Sequence, residues 1–563
     1  MSLTQLFNEV KSISDHLELT RLALDLSSYH RIQGSREILR SADFIRASLE
    51  DRGVGVSVHT FSYASPQKWI SPLVGWDLRD GEVRVTYPYQ KTVSSVRRAW
   101  TAVAAHSPGG EFAGRVSYVE NEESIPSDAE VVLTSNRSLG MYLRLVEKGV
   151  RAVLIYRRDA VLDGVPYVSL FPTPSELPKM KSPVLCISRR DAEMMRWSIL
   201  KGERVQVEGF VKASYTDPRD IKVISAEFGD GEKEVHLTAH YCHPKGTIND
   251  NVSGAAALLC IARALGRSIK RTGCELGGMR VRFVWIPEHY GSLALVRKLL
   301  KEGVKIEGAL NLDMVGEKQS LTGSVLNFIR SPALLASGFE AHAFRNFYVE
   351  VNRGWGLPAL NEIKPSLRFD SRCYVAGSDH DSYIVFGIPA VSLTNWPDRF
   401  YHTSLDMIDK FSASNALLIA LTALKTVLTY EPRNKSAMKH YINYVSELEY
   451  FRARGSLAML RQRIYTSVRK RVKCMEVAEN SGFPSTQHIL RVSKEPRLRE
   501  ELRKLFSREP WTPTALAVGA LYSSCGISDN DLRKFMSAEL GISIKESDFN
   551  LILEALQSLR TGS

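Results

Sequence analysis

Two histidines and three carboxylates in this chain follow apolar, strand-like runs or open the loops after them: His240, Asp250, Glu288, Asp313 and His402. His240 ends the run that starts at Val235, and Asp250 lies in Asn249-Asp250-Asn251-Val252-Ser253-Gly254, which leads into an Ala/Leu-rich helical stretch. Glu288 follows the β-rich run Val281 to Trp285, Asp313 closes Gly308 to Leu312, and His402 sits in Tyr401-His402-Thr403. Polar groups at the strand ends of one α/β unit converge on one edge of a sheet. Imidazole and carboxylate are ligands that zinc accepts. Two closely spaced ions need about this many groups, with one carboxylate bridging and positions left open for water. Such a site lowers the pKa of bound water, polarises a carbonyl and requires a carboxylate to carry the proton.

The elements around these residues alternate. Strands are expected at 221–225, 234–238, 281–285, 308–313 and 390–393, with helices at 253–265, 292–300 and from Ser412 to Tyr430. That alternation implies an α/β unit in three layers, a mixed sheet covered by helices on both faces. Ahead of it, apolar residues at helical spacing predict helices over 2–26 and 35–52, and 54–61 alternates like a strand. Residues 100–214 carry strand-helix-strand traffic long enough for a small α/β domain. Beyond Pro432 the strand signal fades into helices punctuated by Gly482, Pro484, Pro510, Pro513 and Gly526. The expected division is therefore 1–99, 100–214, 215–430 and 431–563.

At 563 residues the chain is too long for a single ordinary core. Its 44% apolar and 24% charged residues suit a globular protein, and no apolar run approaches the roughly 18 residues of a membrane span. Seven dispersed cysteines, without a CxxC pair, argue against a disulfide framework or a zinc knuckle. The start lacks the pattern of a secretory signal, so a cytoplasmic location is expected. Of the net charge of +12, residues 431–563 contribute 22 Lys+Arg against 15 Asp+Glu. The cluster Arg461, Arg463, Arg469, Lys470, Arg471 and Lys473 contains one aromatic residue, Tyr465, and reads as a solvated helix face rather than a nucleic-acid contact.

Across 221–411 the order of motifs resembles the zinc aminopeptidases that include bacterial leucyl aminopeptidase and aminopeptidase Y, with glutamate carboxypeptidase and glutaminyl cyclase as relatives. The motifs are the histidine before the helix, Asn-Asp-Asn-x-Ser-Gly, the glutamate before Gly291-Ser292, Asn311-Leu312-Asp313-Met314-Val315-Gly316, Ser378-Asp379-His380 with Gly387-Ile388-Pro389, and Tyr401-His402-Thr403. Gln33-Gly34-Ser35 through Gly53 is similar to the family's opening. Residues 100–214 resemble the protease-associated domain that many members insert. The resemblance implies an aminopeptidase acting on a peptide and using one or two zinc ions, with cobalt or manganese as substitutes. It makes Asp250 the bridging ligand, with His240 and Asp313 on one metal and Glu288 and His402 on the other. The C-terminal helices are left available for a homo-oligomer contact.

Two departures matter. The family's His-x-Asp is His240-Tyr241-Cys242 here, and its paired glutamates are Pro287-Glu288. Glu288 must then be either base or ligand, and His243, His289 and Asp381 are candidates for the vacated role. A divergent branch of the family shares the His-x-Cys-His-Pro string and the Pro-Glu pair. Cys242 reads as a buried partner of the site rather than a nucleophile, because surrounding carboxylates disfavour a thiolate. Asp379 is either a support for a ligand histidine or a loop cap, and Trp355 and Trp396 are read as core packing or loop anchors, with a substrate-pocket lining as the alternative. Two other functions remain open: an amide hydrolase or acyl transferase on a modified substrate, and a non-catalytic binding protein with a degenerate site.

Overall fold

The computed structural model describes residues 2–65, 71–353, 355–357, 362–364, 367–431, 440–445, 447–448, 496–524 and 527–561. The basic cluster at 461–473 and the side chain of Trp355 lie outside the described residues. The chain opens with helices Leu3–Ile13, His16–Ser27 and Arg36–Glu50, then β1 (Ser57–Ser62). The first two were expected as one helix. They separate because Ser14 closes the first, and the Asp15 side chain accepts the Leu17 N–H at 3.0 Å and starts the second.

Next come β2 (Gly75–Tyr87), β3 (Lys91–Ser95), β4 (Gly110–Tyr118), β5 (Val131–Thr134), β6 (Ala152–Ile155), β7 (Val184–Cys186) and β8 (Gln206–Thr216). They form one seven-stranded sheet in the order β3-β2-β8-β4-β5-β6-β7. Its first strand begins at Gly75, so the expected boundary at residue 100 falls too late. The cause is visible in β2: Asp80-Gly81-Glu82 interrupts the apolar alternation between Leu78 and Val83, and its register against β8 shifts between Leu78 and Asp80.

The second half supplies β9 (Asp220–Phe228), β10 (Lys233–His240), β11 (Arg280–Ile286), β12 (Lys305–Leu312), β13 (Val325–Ile329), the small hairpin β14 (Trp355–Leu357) and β15 (Glu362–Lys364), β16 (Phe369–Arg372) and β17 (Ala390–Trp396). With β1 these make an eight-stranded mixed sheet, β1-β9-β11-β10-β12-β17-β13-β16. Its centre, β11-β10-β12-β17, is all parallel, while β9 and β13 run antiparallel to their central neighbours.

Alternation along the strands assigns the two faces. Val281, Phe283 and Trp285 of β11 join one core with Val235, Leu237 and Ala239 of β10, under helices Leu3–Ile13, Gly254–Thr272 and Ala413–Leu428. Val284 and Ile286 join the other, under helix Tyr290–Lys301 and the described C-terminal helices Pro496–Arg508, Thr512–Ser524, Asp529–Leu540 and Glu546–Thr561. The architecture is the expected α/β one, with helices on both faces and a helical C-terminal region. Helix Gly254–Thr272 is long and apolar enough to cross a membrane, but it is mostly buried as the central core helix and ends at Gly273 in the left-handed conformation.

Candidate metal centre

Each of the four parallel central strands delivers one part of a single site from its C-terminal end. β10 ends on His240, β11 is followed by Glu288, β12 by Asp313, and β17 by the loop that carries His402. Asp250 comes from the segment between β10 and its following helix. Asp250, Glu288, Asp313 and His402 line one pocket of about 300 Å³, together with Gln33, Cys242 and His243, and with Arg137, Tyr167 and Phe171 from the seven-stranded domain, while His240 faces Asp250 and Asp313.

The Asn-Asp-Asn-x-Ser-Gly motif can be read off its hydrogen bonds. Asn251 Nδ2 donates to the Leu312 carbonyl at 2.8 Å, and its Oδ1 accepts from Gly254 N and Met314 N at 3.1 and 3.0 Å. One amide thus ties the Asp250 turn to the strand end that presents Asp313. Ser253 Oγ donates to the Asn249 carbonyl and accepts from Val315 N. The Asp406 carboxylate accepts the backbone N–H groups of Asn249 and Asp250 at 2.8 and 3.2 Å. Position 254 must be glycine, because a Cβ there would lie 2.2 Å from the Leu312 carbonyl oxygen.

The resulting geometry divides the two oxygens of Asp250. Oδ1 lies 3.4 Å from His240 Nε2, which is also 3.4 Å from Asp313 Oδ1. Oδ2 lies 2.8 Å from His402 Nε2 and 3.4 Å from His243 Nε2. Ligand atoms of His240, Asp250 and Asp313 fall within 4.8 Å of one another, and so do those of His243, Asp250 and His402. Asp313 Oδ1 and His402 Nε2 are closed off from solvent yet complete no hydrogen bond. A nitrogen and oxygen donor set with such orphaned atoms fits divalent zinc.

The loops that hold these groups are strained. Among the described residues, six non-glycine residues have positive φ, and Phe171, His243, His289, Met314 and His402 among them line this pocket. Such conformations cost on the order of 1–3 kcal/mol each and persist where the surroundings over-determine them. For the His243 loop the surroundings include buried Arg31, whose Nε donates to the Tyr241 carbonyl at 2.8 Å while its own carbonyl accepts from His243 N at 3.0 Å.

Burial pushes the Glu288 carboxyl well above its ordinary range; His240 opposes this, and Asp379, Asp313 and Asp250 add to it. Burial likewise takes the His243 imidazole down to about 3, which keeps it neutral and able to donate a lone pair. For Asp250, burial is outweighed by His243, His402 and His240, which hold its carboxyl well below the usual carboxylate range. Burial raises the Cys242 thiol, consistent with an inert group.

All five residues singled out from sequence meet here. Cys242 lies behind His240, with Sγ 3.5 Å from His240 Nδ1. His243 turns into the pocket. His289 lines it without joining either ligand triad, and Asp381 is occupied elsewhere, accepting from Tyr374 Oη at 2.6 Å and Gly377 N at 2.8 Å. Asp379 caps a loop instead of supporting a ligand histidine: its Oδ1 accepts from His289 N and Ser292 Oγ. Trp396 packs edge-on to Tyr401 and is no part of the pocket lining. Sequence reasoning missed Gln33, whose Nε2 donates to the Glu288 carbonyl at 3.0 Å, and Tyr167 from the inserted domain.

A mixed sheet with helices on both faces thus gathers two His/Asp groups with metal-ligand spacing at the ends of its parallel strands. Residues 223–427 match peptidase family M28. A probable zinc metalloprotease from Pyrenophora tritici-repentis is 23% identical over 208 residues, 34% of this chain and 42% of that protein. The chain thus spans less than half the length of the curated relatives it matches. The solved peptidase M28 precursor from Shewanella amazonensis SB2B is similar in fold, with a TM-score of 0.56 at 14% identity over 77% of this chain and 97% of that one. BSAP, a zinc aminopeptidase from Bacillus subtilis, gives a TM-score of 0.50 at 18% identity over 75% of this chain and 97% of that one.

Proposed function

We propose that this chain is a metal-dependent aminopeptidase that hydrolyses the N-terminal peptide bond of a peptide. The observation that carries the reading is the division of Asp250, whose two oxygens face different imidazoles as a carboxylate bridging two metal positions does. His240, Asp250, Asp313 and His402 would hold zinc, which when bound acidifies water and polarises a carbonyl. Glu288, with 16% of its side chain exposed at the pocket, takes the proton from the attacking water. The water oxygen bonds to the scissile carbonyl carbon, the C–N bond breaks, and Glu288 returns the proton to the leaving amine. The inserted domain covers the site, which favours a chain end over the middle of a peptide.

The B. subtilis neighbour described as a zinc aminopeptidase supports the same reading. Free thiols at Cys186, Cys242, Cys260, Cys274 and Cys373 suit the cytoplasm, where we place the protein. The test is a panel of peptides with free or acetylated N-termini, incubated with the zinc-loaded protein. Release of single N-terminal residues from the free peptides alone is expected. Equal or preferential cleavage of acetylated substrates would favour the amide-hydrolase reading, and no cleavage of either would overturn both.

A further inference from the structure

We infer that His243, and not Glu288, completes the second metal position, so that the three imidazoles of His240, His243 and His402 and the carboxylates of Asp250 and Asp313 form the full ligand set. This rests on the proposed metal-dependent function and goes further by assigning each first contact. The resemblance to zinc aminopeptidases puts a glutamate in that position, and this chain has one glutamate where the pattern calls for two.

Geometry separates the two candidates. His243 Nε2 and His402 Nε2 both approach Asp250 Oδ2, and the three residues bring their ligand atoms within 4.8 Å of one another. Glu288 belongs to neither triad that contains Asp250. It gathers instead with His240, Cys242 and His243. Cys242 is not available to complete a site there, because its sulfur faces His240 Nδ1, behind the nitrogen that points at Asp250 and Asp313.

The fold also works to aim this imidazole. His243 adopts φ 109, a conformation that a side-chain-bearing residue rarely takes. Its N–H is held by the Arg31 carbonyl, and the Tyr167 ring packs edge-on against the imidazole at 5.3 Å. Its ring centroid lies 5.0 Å from that of His240 and 5.2 Å from that of His402. A histidine that served only to shape the loop before Pro244 would not need this strain to face two other histidines.

With His243 as ligand, the change from a paired glutamate to Pro287-Glu288 becomes intelligible. One glutamate suffices, because the metal no longer needs it and the proton still does. His243 and Glu288 are thus a compensating pair: histidine entered the ligand set, and the remaining glutamate kept the acid-base role.

Zinc content decides the matter without reference to turnover. The full-length protein, its His243→Ala and His243→Gln variants and Glu288→Gln would be saturated with zinc, desalted and analysed for bound metal. Circular dichroism would show which variants retain the fold. Two zinc ions per chain are expected for the unmodified protein and Glu288→Gln, and one for the His243 variants. Anomalous diffraction at the zinc edge, on the unmodified protein, guards against variants that fail to fold. It should show one peak within about 2.1 Å of a His243 ring nitrogen. Retention of two ions by His243→Gln with loss of one by Glu288→Gln would overturn the assignment, as would a peak bonded to Cys242 or Glu288 instead. If the unmodified protein bound no zinc at all, the proposed function would fall with it.

Discussion

The backbone N–H of Tyr167 donates to the carbonyl of His402 at 2.8 Å, so a residue of the inserted domain and a candidate metal ligand share one hydrogen bond. The same tyrosine packs its ring edge-on against His402 at 5.1 Å and against His243 at 5.3 Å. Around it, Arg157 donates to the Tyr401 carbonyl and Ser404 N to the Val165 carbonyl. The insert is therefore part of the wall that sets ligand orientation.

Tyr167→Ala should lower kcat/KM about 10- to 100-fold, the range typical of residues that orient metal ligands. Tyr167→Phe should stay within about threefold of the unmodified protein, because the hydroxyl bonds Ser169 and leaves the ring's packing to do the orienting. Steady-state kinetics on a cleaved peptide measures both, and equal losses in the two variants would contradict this role.

Asn251 ties two ligand-bearing segments together through one side chain. Asn251→Ala removes three hydrogen bonds and leaves buried backbone groups unpaired, at a cost of about 2–4 kcal/mol. Urea unfolding should register that loss, and zinc affinity should fall with it, since the Asp250 turn is no longer fixed to the Asp313 strand end.

A different kind of burial predicts the acid response. On the polar face of β10, Glu234 receives Arg282 at 2.7 and 2.8 Å and His236 at 3.0 Å, with its own side chain 1% exposed. Burial raises its carboxyl, but Arg282 and His236 outweigh this and hold it well below the usual range. A depressed carboxylate contributes stability above its unfolded pKa of about 4.3 and loses it as pH falls further. Arg282→Met should destabilise the protein by about 3–5 kcal/mol at pH 7, because it strands a buried charge. The deficit should shrink as pH falls into the acid range, where Glu234, left with Arg280 and His236, takes up a proton. Denaturant melts at the two pH values check this, and an unchanged deficit would refute it.

Removing metal should loosen the fold as well as stop turnover. Asp250 and Asp313 share one pocket whose candidate ligand groups offer no cation but histidine. Zinc at about 100 times its Kd should stabilise the chelator-treated protein by about 2.7 kcal/mol, seen as a rise in Tm. Asp313→Asn should reduce that rise. A Tm indifferent to zinc in the unmodified protein would speak against a resident ion.

Much of the site was legible because its residues follow short apolar runs. His240, Glu288 and Asp313 each lie at or just beyond a parallel strand whose β-branched and aromatic residues announce it. Asp250 and His402 were legible through ordered motifs. The orientation of His243 was not, since it depends on a left-handed backbone and on Arg31, about 210 residues earlier. Gln33 and Tyr167 were hidden for a related reason: contact between residues far apart in sequence leaves no periodic trace. In the fold, β2 escaped notice because Asp80-Gly81-Glu82 breaks its alternation, and the first helix pair was merged because Ser14 and Asp15 form caps within a continuous helical pattern.

Arg31 carries a final consequence. Its guanidinium reaches the carbonyls of Leu26, Tyr29 and Tyr241, and a single arginine outside residues 223–427 thereby moulds the loop that presents His243. A fragment restricted to the family-matching span would possess every candidate ligand and still lack the mould that makes them a set. Ligand inventory and metal affinity are thus separable properties of this chain. During synthesis, the centre can reach its working shape only after the earliest helices have waited for, and then clasped, a segment made some two hundred residues later.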